Sequence, residues 1–349
     1  MALPLSVVVV SRGRPADLAL CLASLGQQDH PDLELVVVAC PAGTAAARAS
    51  GLPLKCAVHD EANIAAARNI GIALAAGEGV AFIDDDAVAE PTWAGRLAAA
   101  LADPATGAAG GFTRGRNGIS WQWRATTVDA TGADMPLAVP GDRVSRHAGS
   151  AARAVKTHGT NCAFRRAALA AIGGFDPAFR FYLDEADVNL RLAAAGWRTA
   201  VVPDAQVIHG FAASDRRRAD RVPRTLFDIG ASSMAFLLRH APPAAHAPAL
   251  AALRAAERRR ALAHMVAGRL PPDAVAPLLA TLEAGIAAGA TRTPAPLPPL
   301  PRAALPFLPL GTGPRPGRLI LATPRTRAAA EAEAAAARAA GAIVTLLAL

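Results

Sequence analysis

Three adjacent carboxylates, Asp84-Asp85-Asp86, are the residues whose types and spacing most directly suggest chemistry in this chain. They follow an apolar run, residues 79–83, which predicts a buried strand. Because side chains alternate along a strand, Asp84 and Asp86 are expected on one side and Asp85 on the other. Two carboxylates that converge at the carboxyl end of a strand suit a hard divalent cation such as Mg²⁺. The competing interpretation is a polar strand end that leads into a turn.

A second acidic group lies further along the chain, at Asp184, Glu185 and Asp187. Asp184 is expected to cap a helix, and Asp187, three residues later, to complete a capping box. A well-capped helix would therefore explain two of the three acids. Glu185 is not needed for the cap, and the tight turn predicted at 173–176 would fix the start of the helix in space. These two features indicate that the acidic group does more than cap a helix.

A histidine, His209, is predicted at the end of a strand at 206–208, which follows another strand at 199–202. A lone histidine is usually structural. One that follows two acidic clusters is a candidate third ligand for a divalent ion, because imidazole is a common metal ligand.

The elements that must position these residues alternate between strand and helix through the first hundred residues. This alternation predicts a doubly wound, mostly parallel sheet of the nucleotide-binding type. Asn63 is expected to cap one helix, and a turn is predicted at Pro41-Ala42-Gly43. The predicted strands are residues 5–10, 33–39, 54–58 and 80–83, and the predicted helices are residues 18–28, 64–76 and 91–102.

The segment that follows, residues 105–160, is less regular. A strand is predicted to start at Gly110-Gly111-Phe112, and residues 129–150 are predicted to form a long loop near the site. Trp121 and Trp123 alternate as in a strand. They either stack on a sugar or a base, or they pack half-buried against the sheet, and we favour the packing.

The composition excludes several classes of protein. The 349 residues carry a net charge of +8, and 52% are hydrophobic. No secretory signal is recognised at the start, and the best apolar stretch, residues 226–238, is too short to span a membrane. Four cysteines without metal-type spacing predict reduced thiols. We therefore expect a cytoplasmic protein that does not bind nucleic acid. Its basic clusters, 216–218 and 258–260, are interpreted as solvated faces or, alternatively, as contacts with an anionic membrane.

The composition changes beyond residue 240, and this change predicts that the chain divides into four parts. Residues 1–240 are expected to be the main domain and residues 241–292 a helical extension rich in alanine and arginine. Residues 293–317 are predicted to be a proline-rich, extended linker. Residues 318–349 are predicted to form a strand-helix-strand unit, which cannot bury both its faces alone.

In the order and spacing of its motifs, residues 4–240 resemble the family 2 glycosyltransferases. The resemblance implies the GT-A fold, a Rossmann-like sheet flanked by helices, here with a helical C-terminal extension. The matching motifs are Ser6-Val7-Val8-Val9-Val10-Ser11-Arg12-Gly13-Arg14, Asn63-Ile64-Ala65-Ala66-Ala67-Arg68-Asn69-Ile70-Gly71, Ile83-Asp84-Asp85-Asp86, Gly159-Thr160-Asn161-Cys162-Ala163-Phe164-Arg165-Arg166, Gly173-Gly174-Phe175-Asp176, Asp184-Glu185-x-Asp187 and His209.

The resemblance implies an inverting, metal-dependent transfer of a sugar from a nucleoside-diphosphate sugar to an acceptor hydroxyl. Asp84 and Asp86 correspond to the family's D-x-D motif, and His209 is similar in position to its third ligand for Mn²⁺ or Mg²⁺. Glu185 takes the place of the general base, with Asp187 close behind it. The other residues that the resemblance assigns to the donor are Ser11 and Arg12 at the end of the first strand, Asp85 near the ribose or metal, and Arg68 near the base.

This chain departs from the family pattern at two places. The acidic turn that helps to read the donor base is replaced by Ala39-Cys40-Pro41-Ala42-Gly43, and Asp60 is the candidate substitute. The presumed base is Glu185, where aspartate is more common. The resemblance therefore leaves the donor open among UDP-, dTDP- and GDP-sugars.

The expected acceptor is a glycan or a lipid-linked sugar of a bacterial surface or cell-wall polysaccharide, with the enzyme in the cytoplasm or at the inner face of the membrane. Two other functions remain in competition at this point. A nucleotidyltransferase shares a similar sheet and metal carboxylates, and a catalytically silent protein could retain the nucleotide-sugar site.

Overall fold

The computed structural model describes residues 2–292 and 296–349. Four adjacent strands on one side of the main sheet are parallel: β1 (Leu5–Ser11), β2 (Leu33–Ala39), β3 (Leu54–Val58) and β4 (Gly79–Asp84). The sheet continues with β5 (Ala87–Ala89), β6 (Thr106–Arg114), β7 (Trp121–Trp123), β10 (Ser145–His147), β12 (Cys162–Arg165) and β13 (Arg198–His209). A small second sheet contains β8 (Thr126–Asp129), β9 (Asp134–Pro136) and β11 (Arg153–Lys156).

The main sheet has the strand order β10-β13-β6-β12-β4-β1-β2-β3. Its central strands are buried on both faces, as their unbroken runs of valine and leucine predict. Strand β12 runs antiparallel between β4 and β6, whereas β13 runs parallel to β6. The predicted α/β class, a large central sheet flanked by helices, is confirmed. The sheet is mixed rather than mostly parallel, because β5, β7, β10 and β12 each pair antiparallel with their neighbours.

Helices cover both faces of this sheet. They are α1 (Pro15–Leu25), α2 (Pro41–Ala49), α3 (Ile64–Leu74), α4 (Trp93–Leu101), α5 (Arg166–Ala171) and α6 (Asp184–Ala194). Leu22 of α1 and Trp93 of α4 pack on one face. Ile72 of α3, Leu169 of α5 and Val188 of α6 pack on the other. Two apolar cores therefore hold the sheet between two layers of helix.

The buried side chain of Asn161 joins several of these elements. Its amide nitrogen donates to the carbonyl oxygens of Phe112, at 3.0 Å, and Ala205, at 2.8 Å. Its amide oxygen accepts from Trp93 Nε1 at 2.8 Å. The side chain thus ties β6, β13 and α4 together beside β12, which explains an asparagine in this motif.

Several local predictions were wrong. The turn predicted at Pro41-Ala42-Gly43 is the first turn of α2, because Pro41 is tolerated at the first helical position, where no backbone N–H is needed. The loop predicted at 129–150 contains β9 and β10. The two strands predicted at 199–202 and 206–208 form one strand, β13, with an irregularity between Val202 and Val207.

The capping box predicted at Asp184 and Asp187 is also wrong. The residue that caps α6 is Leu183, and no side chain bonds to the first turn of the helix. Asp184 and Asp187 are instead buried in ion pairs with arginines. The helix prediction at Asn63 is confirmed, since its side chain accepts a hydrogen bond from the backbone N–H of Ala66 at 3.1 Å.

Three helices follow the main sheet: α7 (Phe227–His240), α8 (Pro243–Val266) and α9 (Pro272–Ala290). Helices α7 and α9 approach closely because glycines lie at the contact. A Cβ atom on Gly285 would stand 2.0 Å from the carbonyl oxygen of Phe227, and one on Gly230 would stand 2.3 Å from that of Leu282. Within the described residues, α9 is the helix whose length and composition would suffice to cross a membrane, with a mean hydropathy of 1.3. The sequence interpretation had considered only residues 226–238.

The described part of the proline-rich segment, residues 296–316, packs on the main domain. Its first three predicted residues, 293–295, lie outside the described residues. Leu310 is buried in the core beneath β2, and its backbone N–H donates to the carbonyl oxygen of Leu33 at 2.7 Å. The N–H of Leu308 donates to the buried carboxylate of Glu34 at 2.8 Å.

The chain ends in the predicted strand-helix-strand arrangement, β14 (Gly317–Ala322), α10 (Arg327–Ala339) and β15 (Ile343–Ala348). The two strands pair in parallel, and α10 covers one of their faces. The other face exposes Leu319, Leu321 and Leu347.

Candidate functional site

The acidic triplet lies where β4 ends, beside the end of β1. Asp84 is the last residue of β4 and lies opposite Val10 of β1. The chain then turns into β5, which pairs antiparallel with β13 and places His209 opposite Ala87. This pairing brings together a histidine and two carboxylates that are more than a hundred residues apart in the sequence.

Asp84, Asp86 and His209 form a compact group of potential ligands. One ligand atom from each lies within 4.8 Å of the others. His209 Nε2 is 3.2 Å from Asp86 Oδ1 and 3.8 Å from Asp84 Oδ2. Two carboxylate oxygens and one imidazole nitrogen that converge in this way are a donor set that suits Mn²⁺ or Mg²⁺.

The two carboxylate oxygens of Asp86 have different partners. Oδ2 accepts from the backbone N–H of Ala212 at 2.7 Å and lies 3.2 Å from Arg14 Nη1 and 3.8 Å from Arg217 Nη2. Burial raises the pKa of Asp86, but hydrogen bonding to His209 and the nearby Arg14 outweigh it, so the pKa is lowered. Oδ1 of an ionised carboxylate is therefore left to face His209 and Asp84.

Asp85 points away from the group, as the strand alternation predicted. Its side chain is fully buried and forms an ion pair with Arg14. Burial raises the pKa of Asp85 to about 7, in spite of the charge of Arg14. Asp85 therefore lies too deep to touch a ribose, and it holds Arg14 beside Asp86 instead.

Arg68 occupies a buried position between the two acidic clusters. Its side chain pairs with Asp184, lies 3.9 Å from Asp84 Oδ1, and stacks on the rings of Phe82 and Phe175. Only 3% of the residue is exposed. Gly159 fits against the guanidinium, because a Cβ atom there would stand 2.3 Å from Arg68 Nη2. In this geometry Arg68 connects β4 to the start of α6 and is not open to a nucleobase.

Of the three acids that begin α6, only Glu185 is accessible. Asp184 is buried against Arg68, and Asp187 is buried against Arg191, His240 and Arg239. Glu185 is half-buried. It follows Tyr182 and Leu183, whose φ angles of 73° and 63° are costly for residues with side chains. This strained turn fixes the direction in which Glu185 leaves the helix start.

Lys156 of β11 sets the charge state of Glu185. Burial raises the pKa of Glu185, but the charges of Lys156 and then Arg68 outweigh it, and the pKa is lowered. Lys156 itself is held by Asp134 at 2.8 Å. Strand β11 is fastened to α6 by a hydrogen bond from Asn189 Nδ2 to Thr157 Oγ1 at 3.0 Å. The carboxylate of Glu185 is thus ionised and able to accept a proton.

The residues expected at the donor nucleotide lie at the ends of β1 and β3. Ser11 is buried, with its hydroxyl unpaired among the described residues. Arg12 is exposed and pairs with Asp60, at 3.2 Å, and Asp215, at 2.8 Å. At the place of the missing acidic turn, the buried thiol of Cys40 accepts from the backbone N–H of Gly13 at 3.4 Å. The substitute acid, Asp60, is therefore beside Arg12.

Sequence reasoning missed four residues at this site: Arg14, Gln122, Lys156 and Arg217. Cluster 216–218 was interpreted as a solvated face, but it lies in the loop after β13. Arg216 pairs with Asp228 there, and Arg217 approaches Asp86. Arg14 was within reach of sequence analysis, since it follows the end of β1, where ligands bind in sheets of this type. Lys156 lies on a short strand for which no prediction was made, and the alternation of Trp121 and Trp123 around Gln122 was interpreted only as packing of the two tryptophans.

Comparison with known proteins identifies the family of this chain and solved structures that share its fold. A family model described as "Glycosyltransferase like family 2" matches residues 3–225. A stretch of 53 residues, 15% of the chain, is 42% identical to an N-acetylglucosaminyl-diphospho-decaprenol L-rhamnosyltransferase of Mycobacterium tuberculosis. The match spans only 17% of that protein's length.

Two solved structures share the fold. A mannosyltransferase, PcManGT from Pyrobaculum calidifontis in complex with GDP-Man and Mn²⁺, is similar with a TM-score of 0.50 and 21% identity, over 83% of this chain and 88% of that one. GalNAc-T7 with UDP, GalNAc and Mn²⁺ is similar with a TM-score of 0.51 and 14% identity, over 68% of this chain and 48% of that one. At these identities the likeness shows the fold alone.

Proposed function

The chain belongs to glycosyltransferase family 2, and we propose from its site geometry that it is an inverting, metal-dependent member of that family. It would move a sugar from a nucleoside-diphosphate sugar to an acceptor hydroxyl. The observation that carries this proposal is the convergence of Asp84, Asp86 and His209 within 4.8 Å, with the half-buried Glu185 in the first turn of α6.

Asp84 Oδ2, Asp86 Oδ1 and His209 Nε2 are the atoms that would hold the ion. When bound, Mn²⁺ or Mg²⁺ supplies positive charge to the donor diphosphate and stabilises it as the leaving group. Arg14 and the backbone N–H of Ala212 bind the other oxygen of Asp86 and orient its carboxylate. Arg217 and Arg12, at the same edge of the sheet, are cations that a diphosphate can approach.

Glu185 is the proposed general base. It would take the proton from the acceptor hydroxyl as that oxygen attacks the anomeric carbon, on the side opposite the departing diphosphate. Attack from that side inverts the configuration of the anomeric carbon. Asp187, the second candidate from the sequence, is buried against Arg191, Arg239 and His240, so we assign it to holding α7 against α6.

The donor and acceptor are proposed at the level of chemical class. UDP-, dTDP- and GDP-sugars all present the diphosphate that this site would bind. The 53-residue likeness to a rhamnosyltransferase named for a diphospho-decaprenol acceptor supports a lipid-linked glycan as the acceptor. A role in bacterial cell-wall or surface polysaccharide synthesis follows from that acceptor.

A cytoplasmic enzyme with a lipid-linked acceptor would work at the membrane surface, and the exposed arginines 258–260 of α8 suit contact with anionic lipids. Co-sedimentation with phosphatidylglycerol vesicles, compared with phosphatidylcholine vesicles, tests this contact. Replacing the three arginines with serine should reduce binding to the anionic vesicles. Equal binding before and after the replacement would exclude these arginines as the contact.

Thermal stabilisation by nucleoside diphosphates tests the proposed site. A ligand that binds only the folded state raises the melting temperature, so one of UDP, dTDP or GDP should do so in the presence of Mn²⁺. Asp86→Ala should abolish the shift, whereas Glu185→Gln should keep the shift and lose sugar transfer. Asp142→Ala, at an exposed acid, is the matched control. Full transfer by Glu185→Gln would show that the base is another residue.

Two rival functions give different results in the same experiments. A nucleotidyltransferase would release pyrophosphate in place of a nucleoside diphosphate. A silent nucleotide-sugar-binding protein would show the thermal shift but turn over none of the donors.

A further inference from the structure

A hydrogen bond on the far side of the His209 ring has no role in the chemistry described so far. His209 Nδ1 lies 3.0 Å from Gln122 Oε1, and Nε2 lies 3.2 Å from Asp86 Oδ1. The ring is held between two aromatic side chains, with Trp123 at 5.7 Å and Phe211 at 4.7 Å between ring centroids. Each nitrogen of the imidazole therefore faces one oxygen acceptor in a fixed ring orientation.

The two acceptors favour opposite tautomers of a neutral imidazole. A proton on Nε2 would be donated to Asp86, and the lone pair would then lie on Nδ1, away from the carboxylates. A proton on Nδ1 would be donated to Gln122, and the lone pair on Nε2 would face Asp84 and Asp86. Only the second tautomer can bind an ion between the two carboxylates, because a metal ligand must offer a lone pair.

The backbone around Gln122 shows how this side chain reaches His209. Strand β7 pairs with β6 through Trp123 opposite Thr113 and Trp121 opposite Arg114. Three residues of β7 thus oppose two of β6, and Gln122 is the extra residue of a bulge. Bulges redirect side chains and are common next to active sites. Here the bulge allows both Gln122 and its neighbour Trp123 to contact the same ring.

We propose that Gln122 is a positioning residue for the metal site: it accepts the Nδ1 proton of His209 and so leaves Nε2 free to bind Mn²⁺ or Mg²⁺. This inference rests on the proposed function, because it requires His209 to be a metal ligand. It goes beyond that proposal by assigning the tautomer and the residue that selects it. A partner of this kind outside the ligand set changes metal affinity by about 10- to 100-fold.

Binding of Mn²⁺ to the full chain without nucleotide tests the inference. Free Mn²⁺ is measured by electron paramagnetic resonance for the wild type, Gln122→Leu, Gln122→Glu and His209→Ala. Gln122→Leu should weaken binding at least about 10-fold, since it removes the acceptor. Gln122→Glu should stay close to the wild type, since a carboxylate accepts the same hydrogen bond. Gln206→Leu is the matched control, because Gln206 lies on β13 but bonds to Arg114.

The results separate this inference from the proposed function. Wild-type binding that is lost in His209→Ala but unchanged in Gln122→Leu would overturn the inference and leave the metal site standing. Equal weakening by Gln122→Leu and Gln122→Glu would also overturn it. A wild type that binds no Mn²⁺, or binds it as well without His209, would overturn the metal site and the inference together.

A second measurement uses the wild type and therefore does not depend on whether a Gln122 variant folds. Nitrogen-15 NMR of the imidazole side chains distinguishes the two tautomers, and His209→Ala identifies the His209 signals by their loss. In the metal-free wild type, at a pH at which the ring is neutral, the proton of His209 should already be on Nδ1. A proton on Nε2 under those conditions would overturn the inference.

Discussion

At the scale of residues, the acids Asp86, Asp184 and Glu185 each have a cationic side chain nearby. Asp86 lies next to Arg14 and Arg217, Asp184 next to Arg68, and Glu185 within the field of Lys156. The cations beside Asp86 and Glu185 lower the pKa of these two carboxylates and keep them ionised. Burial raises the pKa of Asp184 in spite of the charge of Arg68. Glu185 is half-buried, whereas Asp184 and Asp187 are buried in ion pairs, so Glu185 is the one of these three acids that we propose as the base.

Lys156 should therefore set the pH range in which Glu185 works. The lowered pKa of Glu185 means that the base stays ionised as the pH falls. Lys156→Met removes the lowering charge, so the pKa of Glu185 should rise and the acidic limb of the kcat profile should move to higher pH. Arg153→Met, on the same strand but exposed, should leave that limb in place. An unchanged profile for Lys156→Met would contradict the role given to Lys156.

Asp85 should reduce the stability of the fold at neutral and alkaline pH. Its pKa is raised from 3.8 to about 7, so the folded chain holds its proton more tightly than the unfolded chain. Stability should accordingly fall as the pH rises from about 4 to about 7. Asp85→Asn removes this loss, which corresponds to as much as roughly 4 kcal/mol at pH 8. Urea unfolding of the wild type and Asp85→Asn at pH 8 and pH 5 measures how much the substitution stabilises the fold. A stabilisation no larger at pH 8 than at pH 5 would refute the prediction.

At the scale of elements, the site depends on where neighbouring strands end. The proposed ligands come from the end of β4, the turn after it, and β13, which pairs with the short strand β5. The proposed base comes from α6, which Arg68 connects to β4. The proline-rich segment packs against β2, since Leu310 lies in the apolar core and Leu308 and Leu310 bond to Glu34 and Leu33. The division of the chain into four parts stays a prediction, but this packing means that a chain cut at residue 240 would lack part of its core.

Leu310 should contribute to stability as a core residue, although it lies in a segment without regular structure. It is 8% exposed, whereas Leu305, five residues earlier, is 47% exposed. Leu310→Ala should lower the free energy of unfolding by about 2–4 kcal/mol, since it leaves a cavity in the main core. Leu305→Ala should change it by less than about 0.5 kcal/mol. Equal effects of the two substitutions in urea unfolding would show that the segment does not pack as described.

Sequence analysis could predict the elements with strong local patterns. The valine runs of β1 and β2, the Asn63 cap and the alternation of strand and helix depend on neighbouring residues, and they gave the fold class. The two acidic clusters and His209 could be named as candidates because residue type and order carry that signal. The distances between these side chains could not be predicted, since they depend on the pairing of β5 with β13, which are far apart in the sequence.

The errors share one physical cause. The capping box at Asp184 was inferred from the local pattern, but Asp184 forms a buried ion pair with Arg68 instead. Gln122 acts through a bulge, and Leu310 through packing in an irregular segment. None of these features depends on residues that are near in sequence.

At the scale of the whole molecule, the chain is a glycosyltransferase domain with a substantial C-terminal part. Helices α7 and α9 join through glycines, and Asp187 of α6 pairs with His240 of α7. This connection places the C-terminal helices next to the element that carries Glu185. The helices are therefore in a position to shape the acceptor side of the site.

The central claim is that this chain cleaves a nucleoside-diphosphate sugar with an ion held by Asp84, Asp86 and His209. Phosphorus-31 NMR of a panel of UDP-, dTDP- and GDP-sugars with Mg²⁺ tests it most directly. The account predicts that one donor is converted to its nucleoside diphosphate, and that chelation of the ion or Asp86→Ala stops the conversion. Release of pyrophosphate, or undiminished conversion after chelation, would contradict it.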